Sequence, residues 1–501
     1  MIQIYRSYPT ESRLFITVWI IYLFHLAPVP AANENRYLDL VRSLVDEGRF
    51  AIDTYHHNTL DKSYYNGHYY AGAAPGPAII AIPVYLIFKG ITGLMPVMPF
   101  SQYDTSQYIR SFLKAGQAPD RFIKSYPFGE FVLLHMLLSA FVTGLPTALT
   151  AVMAYRCAWH LTKDEYAGLL IAFAISIGSI CFFYAVRLYG HNISMFFLFS
   201  SFTLIHPWSG RDRLSHLILG LSGLLAGTAV IMDYTAGPIT GLLIGYMLWQ
   251  SPRKNWAFPI AGVLVPTLFM MGYHYVCFGH PFTTPYSLPT DPSGYGSHAE
   301  YQAGLGGFSL PGASRVWDLT FGMYRGIFVY TPLLLAALVG LIYRVRQKDR
   351  FVWLFILGIF VVQMLFTAAM RYWYGGWDFG PRYLVPMIPF VLLGLATEFV
   401  LRWKRLLLML LGISVLINWT GVQYGPSDSI PGVLAMFILS GPTTPLYEFL
   451  SHYFRTYTQW DVAISATGVY VVLSILIFAI WRQPRVIPTG PTVEQNDFIM
   501  S

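Results

Sequence analysis

Charged side chains are scarce in this sequence: Asp, Glu, Lys and Arg make up 11% of the 501 residues, where a soluble domain carries about 25%. With 55% hydrophobic residues, a soluble chain could not cover its surface. Cysteine is scarce too. Cys157, Cys181 and Cys277 lack the spacing of a zinc site, and no disulfide framework is expected. The apolar runs lack the period-two alternation of strands, which excludes an outer-membrane barrel. No internal repeat and no separate soluble domain is visible. The net charge of +7 comes without an Arg/Lys stripe interleaved with aromatics outside the short loops, so it gives no sign of nucleic-acid binding.

What is present is a series of apolar runs about 15–25 residues long, the length of helix that crosses roughly 30 Å of hydrocarbon. Spans are read at residues 14–32, 130–155, 166–186, 191–206, 217–233, 236–250, 257–277, 326–343, 351–370, 383–401, 406–424 and 462–481. Residues 78–98 are apolar but carry Pro83, Lys89, Gly90, Gly93 and Pro96. If this stretch does not cross, every short basic connection falls on one side: Arg156 with Lys163, Arg211 with Arg213, Arg253 with Lys254, Arg344 to Arg350, and Arg402 to Arg405. Arg6, Arg13, Arg482 and Arg485 join them, as positive residues mark the cytoplasmic face. The expected fold is an all-α polytopic membrane bundle of about 12 spans, both termini cytoplasmic, with the first span uncleaved. Juxtamembrane helices are expected in a large first outer loop. The expected divisions are residues 1–32, the N-terminus and first span; 33–128, the outer loop; 129–424, the membrane core with outer loop 278–325; 425–481, an outer segment and last span; and 482–501, a cytoplasmic tail.

The chemically distinctive residues gather on the outer side. Residues 36–46 have helical amphipathic spacing, which predicts a short helix lying on the membrane surface. The tyrosines that follow suit the headgroup layer. Glu34 stands at the mouth of the first span, where partial burial would raise its pKa toward that of a usable general base; the bland alternative is a boundary acid pairing with Arg36. Arg382 sits in the frame Trp373-Tyr374-Gly375-Gly376-Trp377-Asp378-Phe379-Gly380-Pro381-Arg382, and Arg325 in Tyr324-Arg325-Gly326. A planar guanidinium held in a stiff frame suits phosphate. His191 and Asp233 lie at the outer ends of spans, where helix-end polar packing is the ordinary explanation.

These motifs resemble the membrane-embedded GT-C-fold glycosyltransferases, the superfamily of protein O-mannosyltransferases and lipid A aminoarabinose transferases, and most nearly an uncharacterised bacterial branch. The resemblance rests on Asp61-Lys62-Ser63-Tyr64-Tyr65-Asn66-Gly67-His68-Tyr69-Tyr70, Ala74-Pro75-Gly76, Tyr189-Gly190-His191, Asp233-Tyr234, Arg325-Gly326 and the Trp373 to Arg382 frame. It implies an enzyme of a bacterial inner membrane, moving a sugar from a polyprenyl-phosphate carrier to an acceptor on the non-cytoplasmic face, with inversion at the anomeric carbon. Glu34 takes the position of the acid that deprotonates the acceptor. Arg382, Arg325 and Lys62 are placed at the lipid phosphate. His191, Asp233, Asp53 and Asp378 are expected to line the site, the first two as candidate holders of a divalent metal. The acceptor is a lipid, a glycan or a protein. The sequence departs from the family where relatives carry two adjacent acids (Asn33-Glu34 here) and where close relatives carry a lysine (Ala73 here). A polymerase or ligase of lipid-linked glycans, or a transporter or flippase of lipid-linked sugars, is the competing reading.

Overall fold

The computed structural model of the chain describes residues 8–94, 128–206, 215–289, 299–302, 304–347, 349–376, 378–425, 429–457 and 465–482. The last third of the first outer loop and the expected cytoplasmic tail beyond Arg482 therefore lie outside the described residues. Helices occupy every stretch expected to span. Among the described residues four are long and apolar enough to cross a membrane: Glu130–Thr162, Arg253–Phe278, Arg350–Ala369 and Lys404–Tyr424. The pair Ile430–Ser440 and Pro445–Ser451, bent by 46°, makes a fifth if it crosses as one. The chain is thus built as a multi-pass membrane protein. A count of twelve holds only if shorter helices, such as Gly190–Ile205 and His216–Met232, cross as well.

Several expected spans are broken. Residues 166–186 form two helices, Glu165–Ser176 and Cys181–Ala185. Residues 383–401 are short 3-10 and α turns, Arg382–Met387, Ile388–Leu392, Leu393–Leu395 and Glu398–Leu401. Pro386 and Pro389 remove amide donors there and cap the length of any regular helix. Leu384 to Ala396 are buried throughout, so this segment is a central post of the bundle and faces protein on all sides. Arg382 opens it.

The first outer loop differs most from expectation. The Ala32–Arg42 helix does not lie on a surface with one wet face: Glu34 to Arg42 are all buried. Its polar side is covered by the chain that follows. Asn35 Nδ2 donates to the Asn58 carbonyl (2.7 Å), Thr59 Oγ1 to the Ala32 carbonyl (2.7 Å), and Asn58 Nδ2 to Asp39 Oδ1 (3.0 Å). A two-stranded antiparallel hairpin, Lys62–Tyr65 with His68–Ala71, completes the cover. Its turn is Asn66-Gly67, both at positive φ (50° and 87°), a strong local hairpin signal. The Gly76–Thr92 helix packs Tyr85 and Phe88 inward and presents Leu86, Ile87 and Ile91 outward.

Burial pushes the Asp39 carboxyl from 3.8 up to about 8, against the opposing pull of Asn58, Arg42 and Lys62. Between those values the folded chain holds a proton that the unfolded chain has lost. This contribution is therefore full below the unfolded value and is lost as pH rises through about 8. The melting temperature of the wild type should fall relative to that of Asp39→Asn as pH is raised from about 5 to about 8. A constant difference would contradict a neutral Asp39.

Candidate active site

One cavity of ≈ 340 Å³ collects residues from widely separated parts of the chain. Arg36 and Tyr37 come from the first outer helix, His191 from the start of the Gly190–Ile205 helix, and Asp233 with Tyr234 from the turn after Met232. Tyr286 and Tyr301 come from the second outer segment, and Arg382 with Tyr383 from the head of the buried post. The tyrosines interlock: Tyr286 stacks on Tyr301 at 4.5 Å, and the Tyr301 and Tyr383 hydroxyls lie 3.1 Å apart. Met232, Phe308, Phe366 and Met370 make an apolar remainder.

His191 and Asp233 face each other as a pair, Nδ1 to Oδ2. The other Asp233 oxygen accepts the Thr235 N–H (3.0 Å) and caps the 3-10 turn Tyr234–Ala236. Tyr184 and Tyr383 meet the imidazole edge-on at 5.7 Å, and Tyr189 stacks beside it at 6.1 Å. Gly190 allows the close approach of the two helix ends: a Cβ there would stand 2.2 Å from the Met232 carbonyl oxygen. Gly190→Ala should cost about 1–3 kcal/mol by overpacking, read as a lower melting temperature in detergent. An unchanged melting temperature would mean that the two helix ends can part freely.

The three cations expected at a phosphate separate into different roles. Arg382 lines the cavity, its Nη1 held by Asp378 and its Nη2 3.4 Å from the Tyr383 hydroxyl. Arg325 does not line it. Its guanidinium, 1% exposed, donates to the carbonyls of Tyr374 (2.7 Å), Gly376 (2.5 Å), Asp378 (2.7 Å) and Tyr324 (3.3 Å), and to the Tyr324 hydroxyl (3.1 Å). It holds the glycine loop, where Gly375 and Gly376 both adopt positive φ. Lys62 also lies outside the cavity wall, its Nζ 2.8 Å from the His56 carbonyl oxygen and near the Tyr69 ring. The second cation of the cavity is Arg36, which was read only as a partner for Glu34. Residues two apart on a helix point in different directions. Arg36 pairs instead with Asp61, and its Nη2 meets the Tyr37 hydroxyl at 3.2 Å. Arg36 and Arg382 both line the cavity wall.

The expected acids also separate. Glu34 is fully buried and is absent from the cavity wall. Its Oε1 lies 3.3 Å from His135 Nε2, and its Oε2 accepts the Ala31 N–H at 2.5 Å. Burial pushes this carboxyl up, but His135, Arg187 and the Ala31 N–H outweigh it and hold the group below the ordinary carboxylate range. That is the reverse of the raised pKa expected at a half-buried mouth. Asp378 is buried and satisfied by Arg382, by the Tyr189 hydroxyl (2.7 Å) and by Asn33 Nδ2 (3.2 Å). It joins three segments behind the cavity. Asp53 lies at the hairpin, accepting the Tyr69 N–H (2.8 Å) with His68 Nδ1 also at 2.8 Å, and is not in the wall. Among the described residues no three His, Cys, Asp or Glu side chains converge as metal ligands.

No family model and no curated protein sequence matches the chain. Two solved structures are similar in fold along most of its length. ArnT from Cupriavidus metallidurans aligns with a TM-score of 0.46 and 12% identity, over 94% of this chain and 75% of that one. An oligosaccharyltransferase of Archaeoglobus fulgidus aligns with a TM-score of 0.46 and 13% identity, over 95% of this chain and 60% of that one. This chain therefore spans less than two thirds of the archaeal protein's length.

Proposed function

We propose that the protein is a membrane glycosyltransferase that takes a sugar from a polyprenyl-phosphate donor and passes it, with inversion, to an acceptor on the non-cytoplasmic face. The observation that carries this reading is the convergence of Arg36 and Arg382 on one tyrosine-walled cavity. An anion seated between two guanidiniums is stabilised by both. A phosphate there would have charge-assisted donors on two sides, and these strengthen as negative charge grows on the leaving oxygen. Asp61 and Asp378 fix the orientation of the two forks. The Tyr286 and Tyr301 rings offer flat faces to a sugar. Met232, Phe308, Phe366 and Met370 give apolar contact for the first units of the prenyl chain.

Purified protein given a labelled polyprenyl-phosphate sugar and a crude bacterial envelope acceptor should move label to the acceptor and leave free polyprenyl phosphate. Equal transfer from a nucleotide sugar, with no polyprenyl phosphate added, would overturn the donor class.

A further inference from the structure

Resting on that reading, we infer that the group that deprotonates the acceptor is His191 Nε2, oriented by Asp233, and not Glu34. A general base must come within hydrogen-bond reach of the acceptor hydroxyl. Among the described residues, the cavity wall holds one carboxylate, Asp233, and one imidazole, His191. Both Asp233 oxygens are occupied, one by His191 Nδ1 and one by the Thr235 N–H. An Nδ1–H donated to Asp233 leaves Nε2 as the ring's acceptor lone pair. Nε2 has no hydrogen-bond partner among the described residues. The ring cannot swing freely, because Tyr184, Tyr189 and Tyr383 pack around it. The same wall carries Arg36 and Arg382, so base and phosphate anchors share one chamber.

The step balances as follows. The acceptor O–H gives its proton to His191 Nε2 while its oxygen forms a bond to the anomeric carbon. The bond from that carbon to the phosphate oxygen breaks, and its electron pair leaves with the polyprenyl phosphate, facing Arg36 and Arg382. The imidazolium, stabilised by Asp233, then returns its proton to water or to the departing phosphate. Asp233 is a positioning residue: it sets the tautomer and supports the charged ring.

The test compares His191→Gln, Asp233→Asn and Glu34→Gln with the wild type in the envelope-acceptor assay. Each is also tested for thermal stabilisation by added polyprenyl phosphate, which reports an intact donor site. His191→Gln and Asp233→Asn should lose about 10²–10⁴-fold in kcat. Their stabilisation by polyprenyl phosphate and KM for the donor should stay near wild type. A purely structural role for Asp233 would move stability and KM together with kcat. His191→Ala should regain part of its activity with added imidazole. Wild-type turnover by His191→Gln overturns the inference. So does loss of turnover confined to Glu34→Gln with donor stabilisation retained. A wild type that is stabilised by polyprenyl phosphate yet moves no sugar from any polyprenyl-phosphate donor would instead sink the transferase reading itself, and the base assignment with it.

Discussion

Arg382→Lys should lower transfer from a polyprenyl-phosphate sugar by on the order of 10²–10³-fold, the usual cost of removing a donor aimed at developing charge. Lysine keeps the charge, so Asp378 remains compensated and the buried post keeps its neighbour. What is lost is the fork. Arginine can satisfy Asp378 with one nitrogen and present another edge to the cavity, whereas an ammonium is a point charge that must choose. Arg36→Lys should act in the same direction, since Arg36 divides its donors between Asp61, the Gly72 carbonyl and Tyr37. Kinetics of the purified variants against donor concentration check this. An unchanged kcat/KM in Arg382→Lys would assign Arg382 to structure alone.

The second large effect belongs to Arg325 and is one of stability. Arg325→Met removes the donors to the buried carbonyls of Gly376 and Asp378 and to the part-buried carbonyl of Tyr374. Leaving a buried acceptor unsatisfied costs roughly 1–3 kcal/mol each. Two such groups draw on a large share of the ~5–15 kcal/mol that holds a typical domain together. Little folded protein should be recovered from detergent, and its melting temperature should fall far below that of Lys62→Met, which removes one donor to the His56 carbonyl. A variant that melts like the wild type and fails only in donor use would return Arg325 to the phosphate.

The sequence made the helical membrane class plain because that signal is compositional: long apolar runs and few charges survive any detail of packing. The breaks within the runs were less legible. Pro386 and Pro389 mark one, but that Leu384 to Ala396 are enclosed by protein depends on neighbours far along the chain. The first outer helix was misread for the same reason, since helical amphipathicity cannot tell a membrane surface from a lid of Asn58, Thr59 and a hairpin. The hairpin itself was readable from Asn66-Gly67 set between two Tyr-Tyr pairs.

Of the site, motif likeness brought together His191, Asp233 and Arg382, which the fold places in one wall. Glu34 and Arg325 looked alike in promise from position, yet both are turned into the protein. Burial and partner choice set these two apart from the residues of the wall, and neither is written in local sequence. Arg36, Tyr286 and Tyr301 had no motif to mark them. Only the folding of the second outer segment against the first brings their rings and charge together.

The central claim is that the Arg36–Arg382 cavity holds the lipid phosphate of a sugar donor. An experimental structure with a short-chain polyprenyl-phosphate sugar analogue tests it most directly. The account predicts the phosphate between the two guanidiniums, the sugar against Tyr286 and Tyr301, and the anomeric carbon on the side of His191 Nε2. A phosphate seated away from both arginines, with the cavity left to other contents, would contradict it.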